Sequence, residues 1–410
     1  MALQLFGAAF MFSFIRGLIL TLIIFISHSA NASSFVILTS YPESFYAPIV
    51  QEFSKKYPNI RVRVLNKKTP AVMEHLKQQR SPHADLIWLS SSDAMEQLYQ
   101  QNYTDIPHTF AWSQLGFFWH YDTIKNNNLT TPKRWEDLLD PKFFNQVALS
   151  APSRSGTNHL LIELILQQYG WDKGWALLNQ LGGNIATITA RSFGVREGIL
   201  KQRFSVAPVV DFFYRSAIAQ GHNVGFEPIP EAPLIPAQIA QTVKSTNNSD
   251  ATLFITFLIS PEGQALISSP HIGRISVSEG QAINQQNSRF NFDAKLSAQR
   301  YHTVNALFDA AVSQRLPQLQ HFWQQWGQLN THTLSPSQNE QLQQAFKTIT
   351  HPLIEESVAS EPTLNQKLSP TLKYEHFYQR VTDAWTDELN QRFDQAQIEL
   401  DKITSQLRSK

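Results

Sequence analysis

The sequence predicts an α/β protein made of two successive sheet-and-helix units followed by an all-helical region. Three observations carry this. Short β-branched runs alternate with segments of helical periodicity up to about residue 280. Neighbouring runs lie one helix apart, the spacing of right-handed crossovers in parallel sheets. Beyond about Gln281 glutamine becomes frequent, glycine almost disappears and strand patterns stop.

In the first unit, Phe35-Val-Ile-Leu-Thr39 reads as a strand, and Phe45, Ile49, Phe53 and Tyr57 mark the helix after it. Ile60-Arg-Val-Arg-Val-Leu65 alternates as a strand with one wet face does. A helix pattern over residues 71–79 leads to the strand Asp85-Leu-Ile-Trp-Leu89, and Asp93 with Glu96 has the spacing of a capping box. Ligands of such sheets gather beyond the carboxyl ends of strands, which places Ser40, Tyr41, Ser90 and Ser91 near a common cleft. Gly116-Phe-Phe-Trp-His-Tyr121 reads as a long strand crossing to the second unit.

The second unit predicts strands at residues 146–150, 184–189, 204–210 and 224–229, with helices at 157–168 and from Arg191 to about Gln202. A proline-punctuated stretch, residues 228–236, returns the chain to the first unit, where residues 252–259 form a helix that restarts at Pro261. In the helical region, Val304, Leu307, Phe308, Ala311, Leu319, Phe322 and Trp326 form one stripe, divided at Pro317. Tyr378, Val381, Trp385, Leu389, Phe393, Ala396, Leu400, Ile403 and Leu407 form another, on a helix of about nine turns. The simplest reading is a hairpin or small bundle appended to the α/β core.

A chain of 410 residues holds two or three domains. A net charge of +1 gives no strong field, so no nucleic-acid partner is expected. The absence of cysteine excludes disulfide scaffolds, thiol catalysis and cysteine-bound metal. Arg16, the apolar run of residues 18–26 and Ala30-Asn-Ala32 together read as a signal peptide over residues 1–32, cleaved on export. A start at Met11 would bring Arg16 close to the beginning of a conventional peptide. HExxH, GxSxG and Walker-type motifs are missing, so no enzyme activity, cofactor or metal centre is expected.

The segment richest in chemistry is Ser150-Ala-Pro-Ser-Arg-Ser-Gly-Thr-Asn-His159, where a strand ends and a helix begins. A helix start carries free N–H groups and partial positive charge. With Ser153, Arg154, Ser155, Gly156 and Thr157 around it, this start suits a phosphate or carboxylate. A plain N-cap by Ser155 or Thr157 is the alternative. Arg191 and Ser192, at the next helix start, offer a second anion position. Asp211 ends a buried strand, as a hydroxyl acceptor, a hinge residue or a loop cap. Tyr214 follows it, and His159 packs or faces solvent.

The order of these pieces resembles the periplasmic solute-binding proteins of the two-lobed type II class, in the branch holding ferric-ion and phosphate-ester binders. The likeness rests on Trp135-Glu-Asp-Leu138 with Asp140-Pro-Lys142, Ala151-Pro-Ser-Arg-Ser-Gly-Thr157, Ser260-Pro-Glu-Gly-Gln264 and Gly273-Arg-Ile-Ser-Val277. It implies a first lobe of residues 33–120 and 230–280, a second of 121–229 and a helical region of 281–410. Residues 150–160, 167–177 and 190–195 are similar to the members that regulate phosphoglycerate uptake. That similarity implies a periplasmic sensor of a small phosphorylated carboxylic acid, partnered by a membrane sensor kinase. An importer's binding component, partnered by an ABC permease, is the alternative. Ferric binders of the branch carry two adjacent tyrosines, whereas Asp211-Phe-Phe-Tyr214 has phenylalanine for one of them.

Overall fold

The computed structural model describes residues 34–287, 290–329 and 334–408. The signal-peptide expectation for residues 1–32 lies outside them. Among the described residues no helix is long and apolar enough to cross a membrane.

The apolar runs form strands, of which Leu86–Leu89, Leu115–His120, Val147–Ser150 and Val206–Val210 are buried on both faces while Arg61–Asn66 keeps a wet face. The first unit runs β1 (Ser34–Thr39), α1 (Glu43–Lys56), β2 (Arg61–Asn66), α2 (Thr69–Lys77), β3 (Leu86–Leu89), α3 (Ser92–Gln100) and β4 (His108–Ser113). Successive side chains of a strand point to opposite faces. Phe35 and Ile37 of β1 therefore join a core with Phe45, Ile49 and Phe53 of α1. Leu38 joins the opposite core with Val72, Met73 and Leu98 from α2 and α3.

After Ser113 the chain crosses to the second unit through Gln114. There follow β5 (Leu115–His120), α4 (Tyr121–Asn126), β6 (Val147–Ser150), α5 (Gly156–Tyr169), α6 (Trp171–Gly182), β7 (Ile185–Thr189), α7 (Ser192–Leu200), β8 (Val206–Val210), α8 (Phe212–Ala219) and β9 (Val224–Pro228). A 3-10 turn, Pro152–Arg154, leads into α5. β10 (Ile235–Gln241), α9 (Asn248–Ile259), α10 (Pro261–Ile267) and α11 (Val277–Asn287) return to the first unit.

The sheet orders are β2-β1-β3-β10-β4 and β7-β6-β8-β5-β9. Both are mixed rather than parallel throughout. β1 runs parallel to β2 and β3, whereas the returning β10 is antiparallel to β3 and β4. β5 is likewise antiparallel to β8 and β9. The strand expected over residues 116–121 is β5, but it lies wholly in the second sheet: the crossing comes before it, at Gln114, and Tyr121 already opens α4.

The C-terminal helices are α12 (Ala294–Gln299), α13 (Tyr301–Ala311), α14 (Leu316–Gly327), α15 (Pro336–Thr350), α16 (Glu356–Ala359), α17 (Pro362–Lys367) and α18 (Glu375–Arg408). Pro317 stands in the first turn of α14, where its missing N–H costs no bond. These helices are not an appended bundle. Val304, Leu307, Phe308, Leu319 and Phe322 are buried in one continuous core with β5, β6 and α5–α6 of the second lobe. Tyr301 lies instead in the first-lobe core with Leu38 and Ile87. The neighbouring Arg300 is fully buried, donates to Glu163 of α5 at 2.9 Å and pairs with Glu356. The region thus grips both lobes.

Candidate functional site

Between the lobes lies a narrow cavity of about 30 Å³. Its walls are Ser40, Tyr41, Lys68, Thr69 and Ser90 from the first lobe, and Arg154–Thr157 with Arg191–Phe193 from the second. Three helices begin on it: α2 at Thr69, α5 at Gly156 and α7 at Ser192. The positions before α2 and α7 are held by Lys68 and Arg191, and neither supplies a side-chain cap. Pro70 has no N–H and Gly194 donates to the Arg191 carbonyl at 2.9 Å, which leaves the N–H groups of Thr69, Ala71, Ser192 and Phe193 open to an anion. Ser155 caps α5 more loosely, accepting from the Asn158 N–H at 3.4 Å.

Lys68, Arg154 and Arg191 line this cavity, and no carboxylate does. The Ser40 hydroxyl is buried without a hydrogen-bond partner, so it is poised to bond a guest. Tyr41 spends its hydroxyl on the Leu89 carbonyl at 3.2 Å. Burial pushes its phenol up to about 12 against the opposing pull of Arg274, which keeps it neutral. Arg191 reaches across the cleft and donates to the Asn66 side-chain Oδ1 at 3.3 Å. The lobes are closed on each other here: a Cβ placed on Gly156 would lie 2.5 Å from the Ser91 Cβ.

Nine residues singled out in the sequence meet in this cavity: Ser40, Tyr41, Ser90, Arg154, Ser155, Gly156, Thr157, Arg191 and Ser192. Four lie elsewhere. Ser91 is fully buried beneath the cavity and donates to the Asp93 carboxylate. Ser153 turns to Asp309 of α13. Tyr214 stacks on Phe226, ring centroids 5.7 Å apart. Asp211 is buried at the hinge, its N–H donating to the Gln114 carbonyl at 2.9 Å. The lining members missing from the sequence reading are Lys68, Thr69 and Phe193. Lys68 and Thr69 follow the carboxyl end of β2, so the rule that singled out Ser40 and Ser90 reaches them too.

One other expectation changes, and His159 takes the packed alternative. Asp93 is not an N-cap; that position is Ser91. Instead the Asp93 carboxylate is buried and bonded to the Ser91 and Ser297 hydroxyls and the Ala94 N–H. His159 is fully enclosed, with Nδ1 2.7 Å from the Asn305 Oδ1 and Nε2 3.1 Å from Asp93.

The hinge carries a charged cluster of its own. Arg274 is buried, bonds the Ser113 hydroxyl and sits over the Phe212 ring of the second lobe at 4.2 Å. Asp211 lies 3.3 Å from Arg215 Nε, yet neither of its oxygens has an aligned hydrogen bond. Burial raises its carboxyl to about 6, with Arg215 and Arg274 pulling the other way.

Two α/β lobes hinged at Gln114 and closing on an electropositive cavity agree with a direct match of residues 73–290 to the bacterial extracellular solute-binding protein model. The chain belongs to that family. Among solute-binding relatives, the phosphoglycerate transport regulatory protein of Salmonella typhimurium is 28% identical over 323 residues, covering 72% of this chain and 81% of the relative. The fold is shared with the periplasmic binding protein AfuA of Actinobacillus pleuropneumoniae, solved with fructose-6-phosphate bound (TM-score 0.60, 16% identity, 71% of this chain and 97% of that one). It is shared too with iron-bound HitA of Pseudomonas aeruginosa (TM-score 0.55, 14% identity, 67% and 98%). At such identities these two solute-binding structures speak to the fold alone.

Proposed function

We propose that this chain is a periplasmic sensor that captures a small phosphorylated carboxylic acid, of the phosphoglycerate kind, between its two lobes. One observation carries the reading: three helix starts and the side chains of Lys68, Arg154 and Arg191 converge on one cavity with no carboxylate in its lining. A ligand with a phosphate at one end and a carboxylate at the other uses two anion positions, the start of α5 and the start of α7. Hydrogen bonds to charged groups contribute about 1.5–3 kcal/mol each. A few suffice for micromolar affinity, about 8 kcal/mol, after ordering costs.

The regulatory role draws support from the Salmonella relative, whose name describes it as regulatory. A membrane sensor kinase is the corresponding partner, and export by a signal peptide the corresponding route. The units that close are the first lobe, β1 to β4 with β10 to α11, against the second, β5 to β9, and the C-terminal helices span the two. The boundary expected after residue 120 moves back to Gln114 because β5 pairs in the second sheet. No catalytic step is proposed for any residue.

A binding component of an ABC importer for a phosphate ester is the second reading, favoured by the sugar phosphate held in the similarly folded AfuA. A ferric cargo fits less well. Fe(III) takes anionic oxygen donors, and the one tyrosine lining the cavity is held neutral.

Titration calorimetry with 3-phosphoglycerate, 2-phosphoglycerate, phosphoenolpyruvate, hexose phosphates and Fe(III) tests the ligand class. Tightest binding of a phosphorylated carboxylate is expected, weakened about tenfold or more by Arg191→Ala or Arg154→Ala. Tighter binding of Fe(III), or no effect of either substitution, rejects the reading. Co-purification of the ligand-loaded protein with a sensor kinase rather than a permease decides between the two roles.

A further inference from the structure

A second cavity, of about 890 Å³, lies between α2 and α3 of the first lobe and the C-terminal helices α12, α13 and α17. It shares no lining residue with the interlobe cavity. Its walls are tied together from both sides. The Gln97 amide donates to the Ala298 carbonyl at 3.1 Å, and Asn365 accepts from the His302 N–H at 2.7 Å. The site is therefore built before any guest arrives.

Two nitrogen groups in its lining lack adequate partners. His302 is 6% exposed, and its Nε2 is enclosed with no hydrogen-bond partner. The Lys77 ammonium, largely buried, has a single long bond to the Gln97 carbonyl oxygen, 3.4 Å. Burial draws Lys77 below its ordinary range despite Glu74, and burial with the nearby Lys77 charge pushes His302 well down, leaving a neutral imidazole. An enclosed polar group left unbonded is costly, so an acceptor reaching both nitrogens would be stabilised. The rest of the wall carries seven amides, among them Gln97, Gln100, Gln101 and Gln366, beside apolar surface. An amide both donates and accepts, as a hydroxyl does, so such a wall matches a chain of vicinal hydroxyls.

We propose that this cavity binds a small polyhydroxylated carboxylate, a sugar acid, with its carboxylate on Lys77 and His302 and its hydroxyls on the amides. A phosphate dianion suits the place less well. Lys77 and Lys373 against Glu74 leave the lining, its imidazole neutral, with one net positive charge, which matches a single carboxylate.

The test is calorimetry on the full chain with D-gluconate, D-galacturonate and D-glucose. At least one sugar acid is expected to bind, with glucose, which lacks the carboxylate, about tenfold weaker or more. Lys77→Gln should weaken that binding by about tenfold, and Arg191→Ala in the interlobe cavity should leave it unchanged. Gln366→Trp, which fills the cavity from an exposed position on α17, should give the same loss, so the outcome does not depend on the folding of one variant. No heat from either acid at about 10 mM overturns the proposal, as does unaltered binding in both cavity variants. Loss of binding in Arg191→Ala with retention in Lys77→Gln also overturns it, by placing the acid between the lobes.

Discussion

The Nε2 of His159 lies 3.1 Å from the Asp93 carboxylate, and both side chains are fully buried. One comes from α5 of the second lobe and the other from α3 of the first. The same carboxylate accepts from Ser297 of α12 at 2.9 Å, so three parts of the molecule meet at one group. Ser91, which Gly156 touches at the edge of the interlobe cavity, bonds it as well. Removing one partner of a buried hydrogen-bonded network leaves the others unsatisfied, at about 1–3 kcal/mol. Asp93→Ala should therefore lower unfolding stability in urea by that amount. A loss under about 1 kcal/mol would show that the junction is not a structural tie.

Asp211 provides a pH test. Its folded carboxyl sits at about 6, above the ordinary 3.8, because burial disfavours its charge. Between those values the folded chain holds a proton that the unfolded chain has released, so the contribution of Asp211 is complete below about pH 4 and is lost as pH rises through 6. A gap of about two pH units corresponds to about 3 kcal/mol. Asp211→Asn keeps the shape without the charge. The variant should match the wild type in urea near pH 4 and exceed it by up to about 3 kcal/mol near pH 7.5. An equal difference at both values would remove the assignment.

Local patterns carried much of this fold. The continuous apolar runs at Phe35 and Leu86, the alternation from Ile60 to Leu65 and the turn chemistry from Ser153 to Thr157 act over a few residues, and each is visible without a partner. Long-range pairings are of another kind. Nothing near Glu163 signals Arg300, 137 residues away, and nothing near Asp93 signals Ser297. Reading the C-terminal stripes as self-contained failed for the same reason. An apolar stripe records that it is covered, not by what. Lys68 escaped for a smaller reason: a lysine before a helix reads as solvated until two other helix starts arrive beside it.

Truncation follows from the merged core. Removing residues 301–410 would uncover second-lobe core against which Val304, Leu307 and Phe308 now pack, and would take Tyr301 from the first. Each such side chain stabilises by about 1.5–3 kcal/mol, so four of them match a typical domain's whole margin. The shortened chain should lose cooperative thermal unfolding and anion binding together. A truncated chain that melts cooperatively and binds normally would show that the helices are dispensable to the core.

Gly156 offers a way to separate closure from folding. It is the first residue of α5, and a Cβ there would meet the Ser91 Cβ at 2.5 Å and the Thr69 Oγ1 at 3.0 Å. Both neighbours belong to the opposite lobe, and Ser91 is pinned by its bond to Asp93. The clash exists only while the lobes are shut, and alanine at a helix start imposes no penalty of its own. Gly156→Ala should therefore melt close to the wild type while the closed form is disfavoured. Since a ligand held by both lobes draws its affinity from that form, binding of the best anion should fall about tenfold or more. Small-angle scattering should show a larger radius of gyration that saturating ligand no longer shrinks to the wild-type value. Wild-type affinity together with ordinary compaction would mean that Gly156 does not mark the contact on which capture depends.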